Sequence, residues 1–243
     1  MPTPPTPDRS ITKIIGHKEI AKHTFMVEVE RPEGFEYKAG QFVALGLLKP
    51  KHNDPKGNYR WFSLASAPFE ATLKFVFRKS DSPFKEQLLK LRPGEKVEIS
   101  APKGEFVLPK ETDREIIFLT GGVGITPVRS MITQALHEKT GHKLTLFYSN
   151  FTPEETTFFQ DLLGMEKEIN VVCTMTGVEH SKQQWEGETT LIDMKMVKKY
   201  VKDIPNKLFY IVGPPGFLTA MIHMLREEKI DFHNIKLESF GGY

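Results

Sequence analysis

The sequence predicts two domains of different class, an antiparallel Greek-key β-barrel followed by a five-stranded parallel α/β domain. Three observations carry that expectation. Apolar residues alternate with period two from Ile11 to about Leu108, short apolar strands alternate with amphipathic helices after Pro109, and glycine-rich turns end two of those later strands. The expected boundaries are a tail over 1–9, the barrel over 10–109 and the α/β domain over 110–243. A chain of 243 residues has room for both, since a domain commonly takes ~100–150 residues.

The tail has four prolines in its first seven residues, which suits an extended, unpaired segment. In the barrel, Phe25, Val27 and Val29 alternate with Met26, Glu28 and Glu30. Leu73, Phe75 and Phe77 alternate with Lys74, Val76 and Arg78, and Val97 and Ile99 with Glu98 and Ser100. With Gln41–Leu48 and Trp61–Ser66 this makes about six short strands, whose edges are best removed by closure into a small barrel. One helix interrupts them, with Phe84, Leu88 and Leu91 at helical spacing and Arg92-Pro93-Gly94 as its stop.

The α/β part begins with strand Glu115–Leu119. Thr126 and Pro127 follow as an expected N-cap and first helical residue, leading into Val128–His137. Strand Leu144–Tyr148 precedes Thr152-Pro153-Glu154-Glu155, which has the spacing of a capping box ahead of Phe158, Phe159 and Leu162. Strand Val171–Met175, helix Asp193–Val201, strand Leu208–Val212, helix Gly216–Glu228 and strand Ile235–Glu238 complete the alternation, with Gly177–Thr190 read as a loop. Strand-helix alternation implies crossovers and a sheet covered on both faces.

Composition excludes several functions. Thirty-three basic residues against 31 acidic ones leave a net charge of +2, which gives no basic field for nucleic acid. The single cysteine, Cys173, permits no internal disulfide, Cys-rich zinc site or four-thiolate iron–sulfur cluster; it is read as a small buried hydrophobe. A reducing cytoplasm fits this usage. No apolar run approaches the ~20 residues of a membrane span, and the N-terminus does not read as a signal peptide. The eight histidines are scattered, and neither H-E-x-x-H nor G-x-S-x-G is present, so no metal site is expected.

Chemistry concentrates at the two glycine turns. Thr120-Gly121-Gly122-Val123-Gly124-Ile125-Thr126-Pro127 follows a strand and opens a helix, where glycines let a phosphate approach backbone N–H groups at the positive end of a helix dipole. It departs from G-x-G-x-x-G at its third position, which is Pro127, and from the Walker sequence, since no Gly-Lys-Ser/Thr follows. Gly213-Pro214-Pro215-Gly216 forms the second turn at another strand end. Two such turns beside one crevice of a parallel sheet favour a nucleotide.

The ordered set Arg60-Trp61-Phe62-Ser63, the helix-capping segment Ser82-Pro83-Phe84-Lys85, G-G-x-G-I-T-P, G-P-P and a terminal Glu238-Ser239-Phe240 resembles the ferredoxin–NADP reductase superfamily from about Ile11 to Tyr243. That resemblance implies a FAD-binding barrel and an NAD(P)-binding α/β domain. It gives Arg60 to the flavin phosphate, Phe62 to the isoalloxazine and Ser63 to its N5, with Trp61, Phe77, Arg78, Ser82, Phe84 and Lys85 completing the flavin site. It gives Gly121, Gly122, Gly124, Thr126, Pro127, Gly213, Pro214 and Pro215 to the nicotinamide nucleotide, and Phe240 or Tyr243 to the outer flavin face. Ser63 and Phe240 are the implied catalytic residues. Lys85 stands where the family has a hydroxyl; it could replace that hydroxyl, leave the task to the helix N-terminus, or be a solvated charge. Val212 replaces the cysteine often found before the second turn.

The resemblance further implies hydride transfer from nicotinamide to FAD, preferred over FMN, and then electron transfer to a separate ferredoxin, flavodoxin or oxygenase component. Reduction of a free flavin or quinone, or a non-catalytic regulatory subunit, are the alternatives. The absence of Arg in Tyr148–Thr152 and at Thr190 favours NADH over NADPH, although Lys182, Lys195 or Lys198 could supply charge. Residues 1–109 carry a charge of +5 and residues 110–243 a charge of −3, so an acidic electron-transfer partner is expected on the barrel side.

Overall fold

The computed structural model describes residues 9–51 and 54–239, so most of the expected tail and both Phe240 and Tyr243 lie outside the described residues. Strands β1 (Arg9–Ala21), β2 (Thr24–Glu30), β3 (Phe42–Leu47), β4 (Tyr59–Ser63), β5 (Thr72–Arg78) and β6 (Lys96–Ser100) form one antiparallel sheet, with helix α1 (Pro83–Lys90) between β5 and β6. The order β4-β3-β6-β1-β2-β5 inserts β6 between β3 and β1, the return of a Greek key. The sheet curls, and just beyond β4 the Ala65 amide bonds the Lys74 carbonyl of β5 at 2.9 Å. Alternate residues Val27, Val29, Val43, Leu45, Leu73, Phe75, Phe77, Val97 and Ile99 fill the interior, where each large side chain contributes ~1.5–3 kcal/mol by leaving water.

Strands β7 (Ile116–Gly121), β8 (Leu144–Asn150), β9 (Asn170–Met175), β10 (Leu208–Gly213) and β11 (Ile235–Ser239) pair in parallel in the order β11-β10-β7-β8-β9. Ile116 and Phe118 of the central strand enter a core with Ile125, Val128 and Ile132 of α2 (Ile125–Glu138) and Leu162 of α3 (Phe159–Met165). Ile117 and Leu119 enter the opposite core with Val197 of α4 (Met194–Tyr200) and Leu225 of α5 (Pro215–Glu227). Burial on both faces is why β7 reads as an unbroken apolar run rather than an alternating one.

Two expected caps are corrected. Gly122–Gly124 makes a 3-10 turn and α2 starts at Ile125, so Thr126 lies inside the helix and its Oγ1 donates back to the Val123 carbonyl at 3.0 Å. Thr152 precedes only a 3-10 turn, Pro153–Glu155, and caps nothing with its side chain; α3 begins later, after Phe158 adopts a left-handed φ of 59°. Tertiary contacts explain the second case, because Glu155 pairs with Arg78 of β5 instead of reaching back to its own turn. Asp193 does cap α4, accepting from the Met196 amide at 2.7 Å.

A polar seam joins the two parts. Arg129 of α2 is buried, its Nη1 donating at 2.8 Å to both the Ala65 carbonyl and Glu70, while its Nε donates at 3.1 Å to Asp161. Ser130 donates to the Ser66 carbonyl at 2.6 Å, Tyr210 to the Val107 carbonyl at 2.9 Å, and Phe69 stacks on His137.

Candidate cofactor site

A cavity of about 1050 Å³ opens between β3, β4, the start of α1 and the end of β11. Its charged end is assembled by Arg60 of β4. The Arg60 Nη1 donates to the carbonyls of Gly57 and Tyr59 at 2.8 and 2.7 Å, the guanidinium lies 5.1 Å from the Phe84 ring centroid, and Nη2 stands 2.6 Å from Asp54 Oδ2. That last contact is an ion pair with poorly aligned N–H geometry, and Nη2 is a buried donor without a hydrogen-bonded acceptor.

Ser82 caps α1, and its hydroxyl donates to the same Asp54 Oδ2 at 3.0 Å; the Phe84 amide donates there at 3.0 Å too. Lys85 is buried, with Nζ donating to the Arg78 carbonyl at 3.0 Å and lying 5.7 Å from the Phe77 ring centroid. Burial first, then the charges of Arg60 and Lys56, hold its pKa below the usual lysine value. Cationic groups and a helix N-terminus converging on one buried point favour an anion.

The apolar end is built by Trp61. Its ring is 48% exposed, stands edge-on to Phe42 at 5.4 Å between centroids, and has Lys103 Nζ 5.5 Å above it. Phe62, the ring expected against the isoalloxazine, is 1% exposed and packs on Phe75, Phe77 and Phe84 in the barrel core, meeting the cavity only as part of its wall. Alternation along β4 produces this division by sending neighbouring side chains to opposite faces. Phe77 and Phe84 are fully buried behind the wall, and Arg78 turns away to Glu155. Ser63 is buried and its Oγ has no hydrogen-bond partner.

The two glycine turns meet at the reversal of strand order. From β7 the chain steps outward through β8 and β9, then returns to the other side of β7 as β10, placing a switch point between β7 and β10. Both glycine turns end these two strands. Gly122 has a φ of 54° with open space where a Cβ would stand, and the Tyr148 hydroxyl donates to its carbonyl at 3.0 Å. Gly124 has a different reason: a Cβ there would lie 2.7 Å from the Val212 carbonyl oxygen, so only glycine lets the turns touch. The buried Thr120 hydroxyl at this crevice has no hydrogen-bond partner.

The two regions are one strand apart. Ser239 pairs with Gly213 across β11 and β10, and Ser239 and Glu238 line the barrel cavity. Burial raises the Glu238 pKa to about 7. Sequence reasoning missed Asp54 and Lys103 here, and took Glu238 only as part of a terminal motif; Asp54-Pro-Lys-Gly57 reads as a turn, and nothing in it signals that the carboxylate folds inward. Cys173 is buried, its thiol pushed up to about 12 by desolvation, as befits a core residue.

The donor set fits a phosphorylated, ring-bearing cofactor. Arg60 Nη2 has no hydrogen-bonded acceptor, Ser82 and Lys85 line the same cavity, and the open ring of Trp61 flanks it; Ser63, expected at the ring, is buried with an unpartnered Oγ but is not among the cavity-lining residues.

Residues 118–223 match the Oxidoreductase NAD-binding domain family. A Na(+)-translocating NADH-quinone reductase subunit of Idiomarina loihiensis is 34% identical over 161 residues, 64% of this chain and 39% of the relative. Its counterpart in Pseudoalteromonas atlantica is 29% identical over 237 residues, covering 90% of this chain and 57% of the relative. The chain thus spans about two fifths to three fifths of the length of these curated relatives. The crystal structure of a ferredoxin NADP+ reductase from Neisseria gonorrhoeae with bound FAD and NADP superposes with a TM-score of 0.81 at 22% identity, over 96% of this chain and 99% of that one. The chain thus contains a segment that matches the Oxidoreductase NAD-binding domain family and shares the two-domain fold of the ferredoxin NADP+ reductase structure.

Proposed function

We propose that the protein is an NAD(P)H-dependent flavoprotein reductase that holds FAD in the barrel cavity and passes its electrons to a separate acceptor. One observation carries the reading: Gly213 of the second nucleotide turn pairs with Ser239 on the cavity wall, one inter-strand spacing of ~4.8 Å away. This puts the two sites side by side, which direct transfer from a nicotinamide to a flavin would require. Bound flavin supplies the two-electron to one-electron conversion; the chain supplies placement. Arg60, Ser82 and Lys85 hold phosphate, Trp61 and the edge of Phe62 bound the ring, and Ser63 stands one residue behind that wall with a hydroxyl that has no hydrogen-bond partner. The touching turns around Gly122 and Gly124 hold the nucleotide phosphates on backbone amides. Phe77 and Phe84 act from behind by fixing Phe62.

NADH is the favoured donor, because Ser149 and Asn150 at the end of β8 bring no cation to a 2′-phosphate and Lys198 is engaged by Glu228 at 2.6 Å; the relatives named above also belong to NADH-quinone reductases. The acceptor is an acidic ferredoxin, flavodoxin or oxygenase component docking on the basic barrel half, which makes acceptor reduction slow with added salt. A quinone is the second acceptor class, favoured by the name those relatives carry. The decisive experiment is anaerobic addition of NADH or NADPH to the flavin-loaded chain. Rapid bleaching of the flavin absorbance supports the reading, and failure with both nucleotides refutes turnover.

A further inference from the structure

We propose that Asp54 is a built-in competitor for the cofactor phosphate, a carboxylate that occupies the anion cradle and must be displaced when a phosphorylated flavin binds. The inference rests on the flavin reading above and concerns what sets the affinity of that site.

Three donors converge on one oxygen. Arg60 Nη2 lies 2.6 Å from Asp54 Oδ2, and the Ser82 hydroxyl and the Phe84 amide at the start of α1 each donate to that oxygen at 3.0 Å. The other oxygen accepts the Lys56 amide at 2.8 Å. The Asp54 side chain is only 4% exposed, although it belongs to the loop between β3 and β4 and forms part of the cavity wall. A buried carboxylate on an arginine, a serine hydroxyl and a helix N-terminus has the ligand set of a bound phosphate oxygen.

These donors leave little for a second anion. Arg60 Nη1 is committed to backbone carbonyls, so its remaining face toward the cavity is the one Asp54 holds. A phosphate oxygen on Ser82, the Phe84 amide and Arg60 Nη2 would stand where Oδ2 now stands, and two anions at ~4 Å repel strongly at low effective dielectric. Protonation does not release the carboxylate at physiological pH. Burial opposes its charge, but the Lys56 and Phe84 amides, Arg60 and Ser82 outweigh burial and bring its pKa down to about 2. Displacement must come from an anion that binds better, and the misaligned Arg60–Asp54 contact gives the advantage to a phosphate, which carries more charge and can meet the unsatisfied Nη2 N–H in line. The loop thus neutralises the cradle until a phosphorylated flavin arrives, and it discriminates by phosphate rather than by ring.

The test titrates FAD, FMN and riboflavin into the full chain by flavin fluorescence, comparing the native sequence with Asp54→Ala and Asp54→Asn. Asn keeps the side-chain shape and an acceptor for the Lys56 amide if Ala fails to fold. The expected result is FAD and FMN binding tightened by about tenfold or more in both folded variants, with riboflavin changed by less than about twofold. Thermal midpoints without flavin should fall, because Arg60 loses its counterion, and the rise on adding FAD should grow. Unchanged or weakened FAD binding in a folded variant overturns the proposal, as does equal tightening of riboflavin, which would mean a steric plug. If the native chain binds none of the three flavins, the flavin reading itself fails.

Discussion

The barrel cavity and the sheet crevice, each proposed above to receive phosphate, are built from different material. In the barrel, charge comes from Arg60 on β4 and Lys85 of α1, the Ser82 hydroxyl adds a donor, and a fourth side chain, Asp54, already balances them. At the switch point the material is backbone: two glycine turns touch and present their amides at a helix start. A side-chain cradle can be adjusted by one substitution and blocked by one acid, whereas a backbone cradle depends on the absence of a Cβ. The basic half of the chain is accordingly the one with the cationic cavity, and the acidic half is the one whose glycine turns offer backbone donors.

Changes at each place, and at the seam between them, would break this contrast to different degrees. The largest effect on stability is expected from Arg129→Met. Removing the cation leaves the Ala65 carbonyl without its donor and Glu70 with only Lys74 and the Ala67 amide, and chemical denaturation should show a loss of about 2 kcal/mol. The domain angle depends on the same contacts, so hydride transfer measured by stopped flow should slow as well. Arg60→Ala comes next. Flavin affinity should fall on the order of 100-fold while NADH binding to the α/β part stays close to native, a split that would vanish if the two cradles were not separate.

Gly124→Ala should act on the other side. A Cβ 2.7 Å from a backbone carbonyl cannot be relieved by rotating a side chain, so the turns must part, and NADH affinity should drop by about tenfold with flavin affinity unaltered. The smallest effect belongs to Glu238. Burial raises its pKa from 4.5 to about 7, so between those values the folded chain holds a proton that the unfolded chain has released. Stability contributed by the protonated form is present below pH ~4.5, declines as pH rises toward about 7, and is lost above it. Glu238→Gln should flatten that slope in a pH series of thermal midpoints; an unchanged slope would place the titration elsewhere.

The contrast also explains what could be read in advance. The backbone cradle was legible because its requirement is written locally: glycine next to glycine after an apolar strand admits few explanations, and Gly121 to Gly124 fall where expected. Its companion helix was less legible, since Thr126 in sequence resembles a cap and becomes a buried helical residue once the 3-10 turn takes up the first positions. The side-chain cradle was legible only in part. Arg60 and Ser82 were recognised by their motif, but which of Trp61 and Phe62 opens on the cavity depends on which face of β4 meets the core, and the triple aromatic packing of Phe62 decided that.

The sequence by itself determined the two periodicities, the two glycine turns and the asymmetry of charge, because each of these is a property of neighbours along the chain. Tertiary structure alone decided that Glu155 would leave its own turn for Arg78, that Ser239 would lie beside Gly213 on the wall of another domain's cavity, and that Asp54 would turn inward onto Arg60, Ser82 and the Phe84 amide. The reason is the same in each case. A charged or hydroxyl group is satisfied by whichever partner the packed chain brings within ~3 Å, and sequence spacing constrains such partners only inside a single turn of helix or strand.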